Sequence, residues 1–398
     1  MENNNAAASA SLVIARIVYG INWFNIAAVF PLIAADLCQD VSLLGAISAA
    51  FLVGVGTFQI PSGIFAAKYG LRTTTISGIA VSSAAALATG LVSEAYQLTW
   101  LRFAVGLGMA FFFSSGVVLI ANYSAGRNNN KSAGFSIGIM NSAHSVGGII
   151  GIFTWIVVAA AVGWRASLVL SGAIGLATAL LLAATIPRAG ALRQALGMSD
   201  VIRVLTSRPL VSLGLVLTGI QASWAITLTF LVIYLQGLGT SLEQAGIIAS
   251  LSLVSAIVSA PLVGRIYDRK VQDARKILLA CAIGITAGMA AMASASIIAV
   301  TAAVIAIGFS AGGAFTVAYA RARKVPVTNN RQGSVIMHHG SGALNVAWVN
   351  GLSLLGILWM PVVFSYAVKN AGGYAFAWLL SAALAALFAM IPLSRIGR

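Results

Sequence analysis

Ionisable and amide side chains are rare inside the long apolar stretches of this chain, and those present fall at few positions. Arg102 lies within 96–121 and His144 within 132–161. A guanidinium held in an apolar stretch supplies positive potential for an anion, and an imidazole can take up or release a proton near neutral pH. Asn22, Asn25, Asn141, Gln221 and Asn345 add amides that exchange hydrogen bonds with a polar solute. Trp23, Trp224 and Trp348 stand close to them in sequence and can wall a bound solute. At about 1.5 Å per residue, Asn22, Asn25, His144, Gln221 and Asn345 are expected near the middle of their stretches. Each has a plainer alternative. Arg102 can serve structure by reaching the outer interface or backbone carbonyls, and the amides and His144 can bond helix to helix. Arg16, near one end of its stretch, is expected to snorkel to water. His338 and His339 are read as interfacial or gating groups.

Other chemistry is absent from the pattern. The eight acidic residues are Glu2, Asp36, Asp40, Glu94, Asp200, Glu243, Asp268 and Asp273, all outside the apolar interiors. Proton-carrying membrane proteins usually titrate a buried carboxylate, so proton coupling here would fall to His144 or another histidine. A cationic solute would find no counter-charge. No phosphate-binding loop is present. His338 and His339 are adjacent rather than a turn apart, with no carboxylate nearby, so no metal set is formed. No nucleophile and base are paired. The expectation is therefore no enzyme, no cofactor and no metal.

The elements that would position these groups follow from composition. Of 398 residues 60% are apolar and 8% charged, whereas soluble domains carry about 25% charged residues. Lipid must solvate so much apolar surface. A span needs about 20 apolar residues, and such runs occur near 10–35, 42–66, 73–92, 96–121, 132–161, 166–187, 209–235, 244–264, 277–297, 299–320, 332–366 and 373–393. Almost nothing polar divides the ninth from the tenth. Nineteen basic residues fall on even-numbered loops and the C-terminal tail, against Arg165 and Lys369 opposite. By the positive-inside rule both termini are expected in the cytoplasm. The net charge of +15 is spread over these short loops, so nucleic acid is not an expected partner. Cys38 and Cys281 are expected near opposite faces, so a disulfide between them is not expected. The polar start Met1–Asn5 lacks a basic region, so the first run is expected to persist as a span.

The runs repeat. Pro61-Ser-Gly63-Ile-Phe-Ala-Ala67-Lys68-Tyr-Gly70-Leu-Arg72 is matched 200 residues later by Pro261-Leu-Val-Gly264-Arg-Ile-Tyr-Asp268-Arg269. Lys131-Ser-Ala-Gly134 is matched by Arg331-Gln332-Gly333, and Gly163-Trp164-Arg165 by Gly372-Gly373-Tyr374. Six spans per repeat gives parallel copies, an arrangement that places a site between halves near the midplane. The expected fold is all-α integral membrane: twelve transmembrane helices in two six-helix halves related by pseudo-two-fold symmetry. The expected division is 1–187, a cytoplasmic linker 188–208, and 209–398. Amides, histidines and arginines avoid the third, sixth, ninth and twelfth runs.

The stretch Gly63-x-x-x-Ala67-Lys68-x-Gly70-x-Arg72 resembles the loop motif between the second and third helices of the major facilitator superfamily. Arg102-x-x-x-Gly106-x-Gly108 resembles the fourth-helix motif, and Gly163-Trp164-Arg165 the turn before the sixth. Ala67 replaces the usual Asp, which the second copy keeps as Gly264-x-x-x-Asp268-Arg269. The resemblance implies that Gly63, Lys68, Gly70, Arg72, Gly264, Asp268 and Arg269 act in gating, with a weaker latch in the first half. It also implies that helices 3, 6, 9 and 12 lie outside a cavity. Ala143-His144 stands ahead of Gly147-Gly148 where many drug/proton antiporters of the family have Gly-Pro, which argues against that class.

What the resemblance implies is a permease: a secondary transporter working by alternating access. The residues favour a small anionic or polar organic solute, by uniport, exchange or His-dependent symport. A neutral or amphipathic solute is the alternative, and a non-transporting receptor or assembly factor with this fold is the alternative of another class. Expected partners are a small-molecule solute and the lipid bilayer, and the chain is expected to act as a monomer. The short loops suggest a multi-pass protein of a prokaryotic plasma (inner) membrane. The small residues Gly54-x-Gly56, Gly147-Gly148-x-x-Gly151 and Gly308-x-x-x-Gly312 are expected to let helices approach closely.

Overall fold

The computed structural model describes residues 2–37, 41–128, 132–188, 197–326 and 341–395. His338, His339, Cys38 and Asp40 lie outside the described residues. The described residues form helices α1 (Glu2–Asp36), α2 (Val41–Thr57), α3 (Gln59–Tyr69), α4 (Leu71–Thr89), α5 (Ala95–Asn128), α6 (Ala133–Ile149) and α7 (Trp155–Thr185). They continue with α8 (Met198–Leu205), α9 (Arg208–Gly237), α10 (Leu242–Arg269), α11 (Ala274–Ala291), α12 (Ile297–Ala322), α13 (Ser341–Asn370) and α14 (Gly373–Arg395). No strand occurs among them. Among the described residues nine helical stretches are long and apolar enough to cross a membrane, or ten if the bent pair α2–α3 is one span. The chain is thus a multi-pass, all-α integral membrane protein.

Glycine and proline decide where these helices stop. One counted stretch, Ala133–Thr185, contains two of the expected spans. Gly163 (φ 80°, ψ 158°) breaks it, in a conformation that side chains with a Cβ rarely adopt. The matching turn of the second repeat uses Gly372 (φ 123°) and Gly373 (φ 73°). Between α11 and α12, where the sequence offers no polar break, the chain turns at Ala295 in the left-handed region. There Tyr234 Oη donates to Met292 O at 2.5 Å. α4 supplies the expected third span as a helix but is not among the nine, because Arg72 and the hydroxyls from Thr73 to Thr89 dilute its apolar run. The linker 188–208, read as a plain connection, holds the short helix α8.

The repeated prolines behave differently. Proline lacks the N–H that its i−4 carbonyl would accept. Pro61 lies just inside α3, and the α2–α3 pair bends by 42° at Phe58. Pro261 lies inside the single helix α10. The carbonyl that Pro261 orphans belongs to Ile257, and Ser142 Oγ donates to it at 2.6 Å. Among the described residues no side chain serves Thr57 O in that way.

The helices group into two compact units. The first comprises Met1–Asn130, Ala143–Val201 and Pro326–Ala347; the second comprises Lys131–Ser142, Ile202–Val325 and Trp348–Arg398. α6 and α13 therefore have residues in both. Inside the first unit α5 packs on α2 and α4, and α7 on α1 and α4. Inside the second α12 packs on α10 and α11, and α14 on α9 and α11. These are the same four pairings, so the repeat in sequence is a repeat in packing.

Small residues make the seams. A Cβ on Gly54 would stand 2.3 Å from Phe103 O, and one on Gly106 2.3 Å from Phe51 O, so α2 and α5 meet backbone to backbone. Gly147 meets Ile17 O at 2.1 Å, Gly308 meets Ser252 O at 2.1 Å, and Gly312 meets Ser259 Oγ at 2.5 Å in the same sense. Gly56 departs from the expectation, with nothing within 4 Å. Such close approach substitutes dispersion contact for the hydrophobic drive that lipid removes.

Candidate functional site

The first unit gathers a cationic and aromatic cluster on α1, α2, α5 and α6. Arg102 is 2% exposed, and its Nη1 donates to Asn22 O at 3.2 Å. Its guanidinium lies 4.6 Å above the Phe51 ring, and its Nε is buried with no hydrogen-bond partner among the described residues. Arg102 is seven residues from the start of α5, about 10 Å along the helix, and Asn22 is fourteen from the end of α1, about 21 Å. Those helix ends are level, because Arg165 binds both the Asp36 carboxylate and Val92 O (3.0 Å). The guanidinium therefore reaches along α1 away from those helix ends.

Aromatic rings continue from Phe51. Trp23 meets Phe51 edge to face at 4.7 Å and stacks near Tyr19 at 5.7 Å. Half-buried His144 touches Tyr19, Trp23 and Phe24 at 5.6–5.7 Å between ring centroids. His144 makes no hydrogen bond among the described residues, and its Nδ1 is sealed inside this box of rings. Its other nitrogen, Nε2, is the one left to exchange a proton or accept a hydrogen bond. The carbonyl of His144 sits beside Gly20, where a Cβ would lie 2.5 Å away, so α6 presses the imidazole against α1.

Arg16 corrects an expectation. It is 5% exposed rather than snorkelling, with its guanidinium 4.1 Å over Tyr19 and 4.8 Å over Phe113. A planar guanidinium stacks on ring faces, and Tyr19 one turn along the same helix supplies one. Arg16, Tyr19 and Phe51 were not foreseen as part of a site. The signal was available: positions 16, 19 and 23 are spaced by three and four, which puts Arg16, Tyr19 and Trp23 on one helical face.

Other candidates are turned elsewhere. Asn25 Nδ2 donates to Ser171 Oγ at 3.1 Å and ties α1 to α7. Asn22 Nδ2 donates to Val18 O in its own helix at 3.3 Å. Asn141 belongs to the second unit, where its Nδ2 donates to Thr316 Oγ1 at 3.1 Å. Asn345 is fully buried in the first unit.

The second unit holds an uncharged cluster. Ser353 Oγ donates to Gln221 Oε1 (2.6 Å) or Asn350 O (2.7 Å), and Tyr319 Oη donates to Asn350 Oδ1 at 2.7 Å. Trp224 Nε1 donates to Ser252 Oγ at 2.9 Å, and its ring meets Phe315 at 5.8 Å. Phe315 in turn stacks near Tyr319 at 6.3 Å. Trp348 Nε1 is buried without a hydrogen-bond partner among the described residues.

The loop motifs hold helix ends. Gly70 (φ 89°) turns α3 into α4. Arg72 donates to Ala183 O (2.7 Å) and Ile186 O (2.9 Å), serving the carbonyls at the end of α7 as a C-terminal cation does. Gly63 seats α3 on Leu344, whose Cα would lie 2.6 Å from an added Cβ. Lys68 is exposed, 5.1 Å from the Tyr69 ring. In the second copy the Asp268 carboxylate accepts from Gly134 N (2.7 Å) and Phe135 N (2.8 Å), at the start of α6. An anion at a helix N-terminus is favoured by the orphan N–H groups and the dipole. Gly264 packs backbone to backbone on Gly134, and Arg269 is exposed. Burial holds the neighbouring Arg323 and Lys324 below their ordinary basic range, and the Asp268 charge offsets only part of that.

Comparison with known proteins agrees with this architecture. The chain is 29% identical over 143 residues to the probable sulfoacetate transporter SauU of Cupriavidus necator, a match spanning 36% of this chain and about a third (32%) of that relative. It is 23% identical over 371 residues to the 4-hydroxybenzoate transporter PcaK of Pseudomonas aeruginosa, covering 83% of this chain and 81% of that protein. Among solved structures it resembles the E. coli fucose:proton symporter FucP (TM-score 0.77, 16% identity, 98% of each chain). It also resembles the proton:xylose symporter XylE (0.76, 15%, 99% and 96%) and the human organic anion transporter MFSD10 (0.76, 13%, 99% of each). Residues 12–337 match the family profile of the Major Facilitator Superfamily. Together with the repeated helix pairings, that match assigns the chain to the Major Facilitator Superfamily, as a membrane transporter and not an enzyme.

Proposed function

We propose that this transporter carries a small organic anion by alternating access. The observation that carries the reading is the Arg102 guanidinium: buried, bonded to one backbone oxygen and, among the described residues, with no carboxylate against it. A charge at a helix centre costs roughly 2.5–3.5 kcal/mol on insertion scales. An anionic group on the solute offsets that cost. The rings of Tyr19, Trp23, Phe24 and Phe51 suit a solute with a flat or apolar body, and His144 is the group placed to move a proton. The solutes named for the two relatives, sulfoacetate and 4-hydroxybenzoate, are both anions at neutral pH, which supports the same class. The working form is a monomer in a prokaryotic plasma membrane with both termini in the cytoplasm, and transport runs as uniport, exchange or His144-dependent symport.

The test is thermal stability of the purified protein against carboxylates, sulfonates, sugars, amino acids and organic cations, with 4-hydroxybenzoate and sulfoacetate as first probes. A ligand for the folded state raises stability by about 2.7 kcal/mol at a hundredfold excess over Kd. Stabilisation by an anion that Arg102→Gln abolishes supports the reading. Stabilisation by anions that Arg102→Gln leaves intact removes Arg102 from the site. Uptake into liposomes that drives proton entry in the wild type but not in His144→Gln assigns the coupling.

The uncharged cluster of Gln221, Trp224, Tyr319, Asn350 and Ser353 favours a second reading, a neutral hydroxylated solute. The two differ in charge movement. Net charge couples to the membrane field at about 2.3 kcal/mol per charge per 100 mV. Transport insensitive to voltage and pH gradient, for a sugar-like probe, decides for the second reading.

A further inference from the structure

The short helix α8 grades from buried to exposed around its circumference. At 3.6 residues per turn, Val204 and Val201 stand side by side, 1% and 7% exposed. Leu205 comes next and is half-buried. Met198 and Ile202 follow, 74% and 52% exposed. Beyond them lie exposed Ser199 and half-buried Arg203. The Asp200 carboxylate accepts from Gly197 N at 3.0 Å, at the start of the same helix. The apolar side chains of α8 thus form one continuous arc, of which the protein covers one flank and leaves the other bare.

The level of α8 is set by α9. Thr206 N and Oγ1 both donate to Ile202 O, at 2.9 and 2.8 Å, and Ser207 N donates to Val204 O at 3.2 Å. Val211 N then donates to Ser207 O at 2.9 Å in the first turn of α9. The two helices are hydrogen-bonded end to end, and α9 is one of the stretches that cross the membrane. α8 therefore lies where that span meets the bilayer surface. The segment 186–208 carries Arg188, Arg193, Arg203 and Arg208 against the single acid Asp200. Arg188 and Arg208 are exposed. A basic amphipathic helix at this level seats its apolar side in the acyl boundary and its cations among the headgroups. We infer that α8 binds anionic phospholipid, with Met198 and Ile202 in the acyl boundary and Arg203 and Arg208 against the lipid phosphates. The bare flank of the arc adjoins Arg203, so one edge of the helix offers both contacts. This contact stands apart from the solute and its path.

The test reads depth rather than transport. In the full chain with Cys38 and Cys281 replaced by alanine, a nitroxide is attached in turn to Met198→Cys, Ile202→Cys and, for the polar edge, Ser199→Cys. Each protein is reconstituted in vesicles of phosphatidylcholine mixed with phosphatidylglycerol, and in vesicles of phosphatidylcholine alone. Collision with oxygen reports lipid around the label, and collision with a water-soluble nickel chelate reports water. In the mixed vesicles the labels at 198 and 202 should favour oxygen, and the label at 199 the chelate. Arg203→Gln and Arg208→Gln should each lower the ratio of lipid-embedded to water-exposed label about fivefold there, the attraction of one basic residue to an anionic surface. In phosphatidylcholine alone the ratio should already be low, and the two substitutions should leave it unchanged. Water around all three labels in the mixed vesicles overturns the inference. Equal depth in the two kinds of vesicle overturns it as well, since the headgroup charge would then play no part. Depth that survives both arginine substitutions in the mixed vesicles also counts against it. Either apolar position carries the reading if the variant at the other fails to fold, and failure of both counts against it.

Discussion

The hydroxyl of Ser142 donates at 2.6 Å to the backbone oxygen of Ile257, the carbonyl that Pro261 leaves without its helical N–H. One side chain from α6 thus completes a turn of α10 that proline would otherwise open. Ser142→Ala should expose that defect and cost about 1–3 kcal/mol, the range for an orphaned buried acceptor. Thermal unfolding checks the loss. Pro261→Ala restores the N–H, so adding it to Ser142→Ala should recover most of the stability.

The two glycines of Gly54-x-Gly56 should respond oppositely to the same change. Gly54→Ala drives a Cβ into Phe103 O and should destabilise by at least 1–3 kcal/mol, the usual cost of overpacking. Gly56→Ala meets nothing within 4 Å and should gain about 0.5–1 kcal/mol from helix propensity. Melting temperatures of the pair, measured side by side, decide it. Equal effects would mean that α2 and α5 do not meet at Gly54.

Arg102→Gln should separate binding from stability. The variant keeps a donor for Asn22 O and removes an uncompensated charge, so the ligand-free melting temperature should hold or rise. Stabilisation by an anionic probe should fall at least tenfold in apparent affinity. A collapse of the ligand-free protein would instead mark Arg102 as structural.

Asp268→Asn leaves one acceptor where two served the start of α6. Hydrogen bonds to a charged group contribute about 1.5–3 kcal/mol, and much of that should be lost. Hydrogen exchange at the Gly134 and Phe135 amides should quicken, while amides of α4 stay protected.

Asn25 and Ser171 should couple weakly. Interhelical hydrogen bonds in membranes average about 0.6 kcal/mol by double-mutant cycle. Asn25→Ala, Ser171→Ala and the double variant should yield a coupling of that order, with anion stabilisation intact in all three. Loss of ligand stabilisation in Asn25→Ala alone would return Asn25 to the binding surface.

Much of this protein was determined by its sequence alone. Apolar runs of about 20 residues dictate helices in lipid, because only a helix satisfies the backbone hydrogen bonds within a single segment there. The 200-residue recurrence of proline, glycine and basic loops foretold the recurrence of helix pairings. The glycines that turn one span into the next were legible at Gly163 and at Gly372-Gly373, since positive φ selects glycine. The boundary at Ala295 was not legible, because a left-handed alanine bonded nearby through Tyr234 leaves no mark in composition.

Only the tertiary structure decided where polar side chains point. Arg16 and Arg102 look alike in sequence, each a cation in an apolar run. Packing against Tyr19, Phe113 and Phe51 is what keeps both guanidiniums inside. Asn22 and Asn25 are three residues apart, yet Asn25 is spent on Ser171 while the Asn22 carbonyl holds Arg102. Pro61 and Pro261 share a motif, yet one helix bends and the other runs on, and among the described residues a serine from another helix reaches only the second orphaned carbonyl. Each of these outcomes depends on which neighbour supplies a hydrogen bond or a ring face, and, Tyr19 beside Arg16 apart, that neighbour lies tens of residues away in the chain.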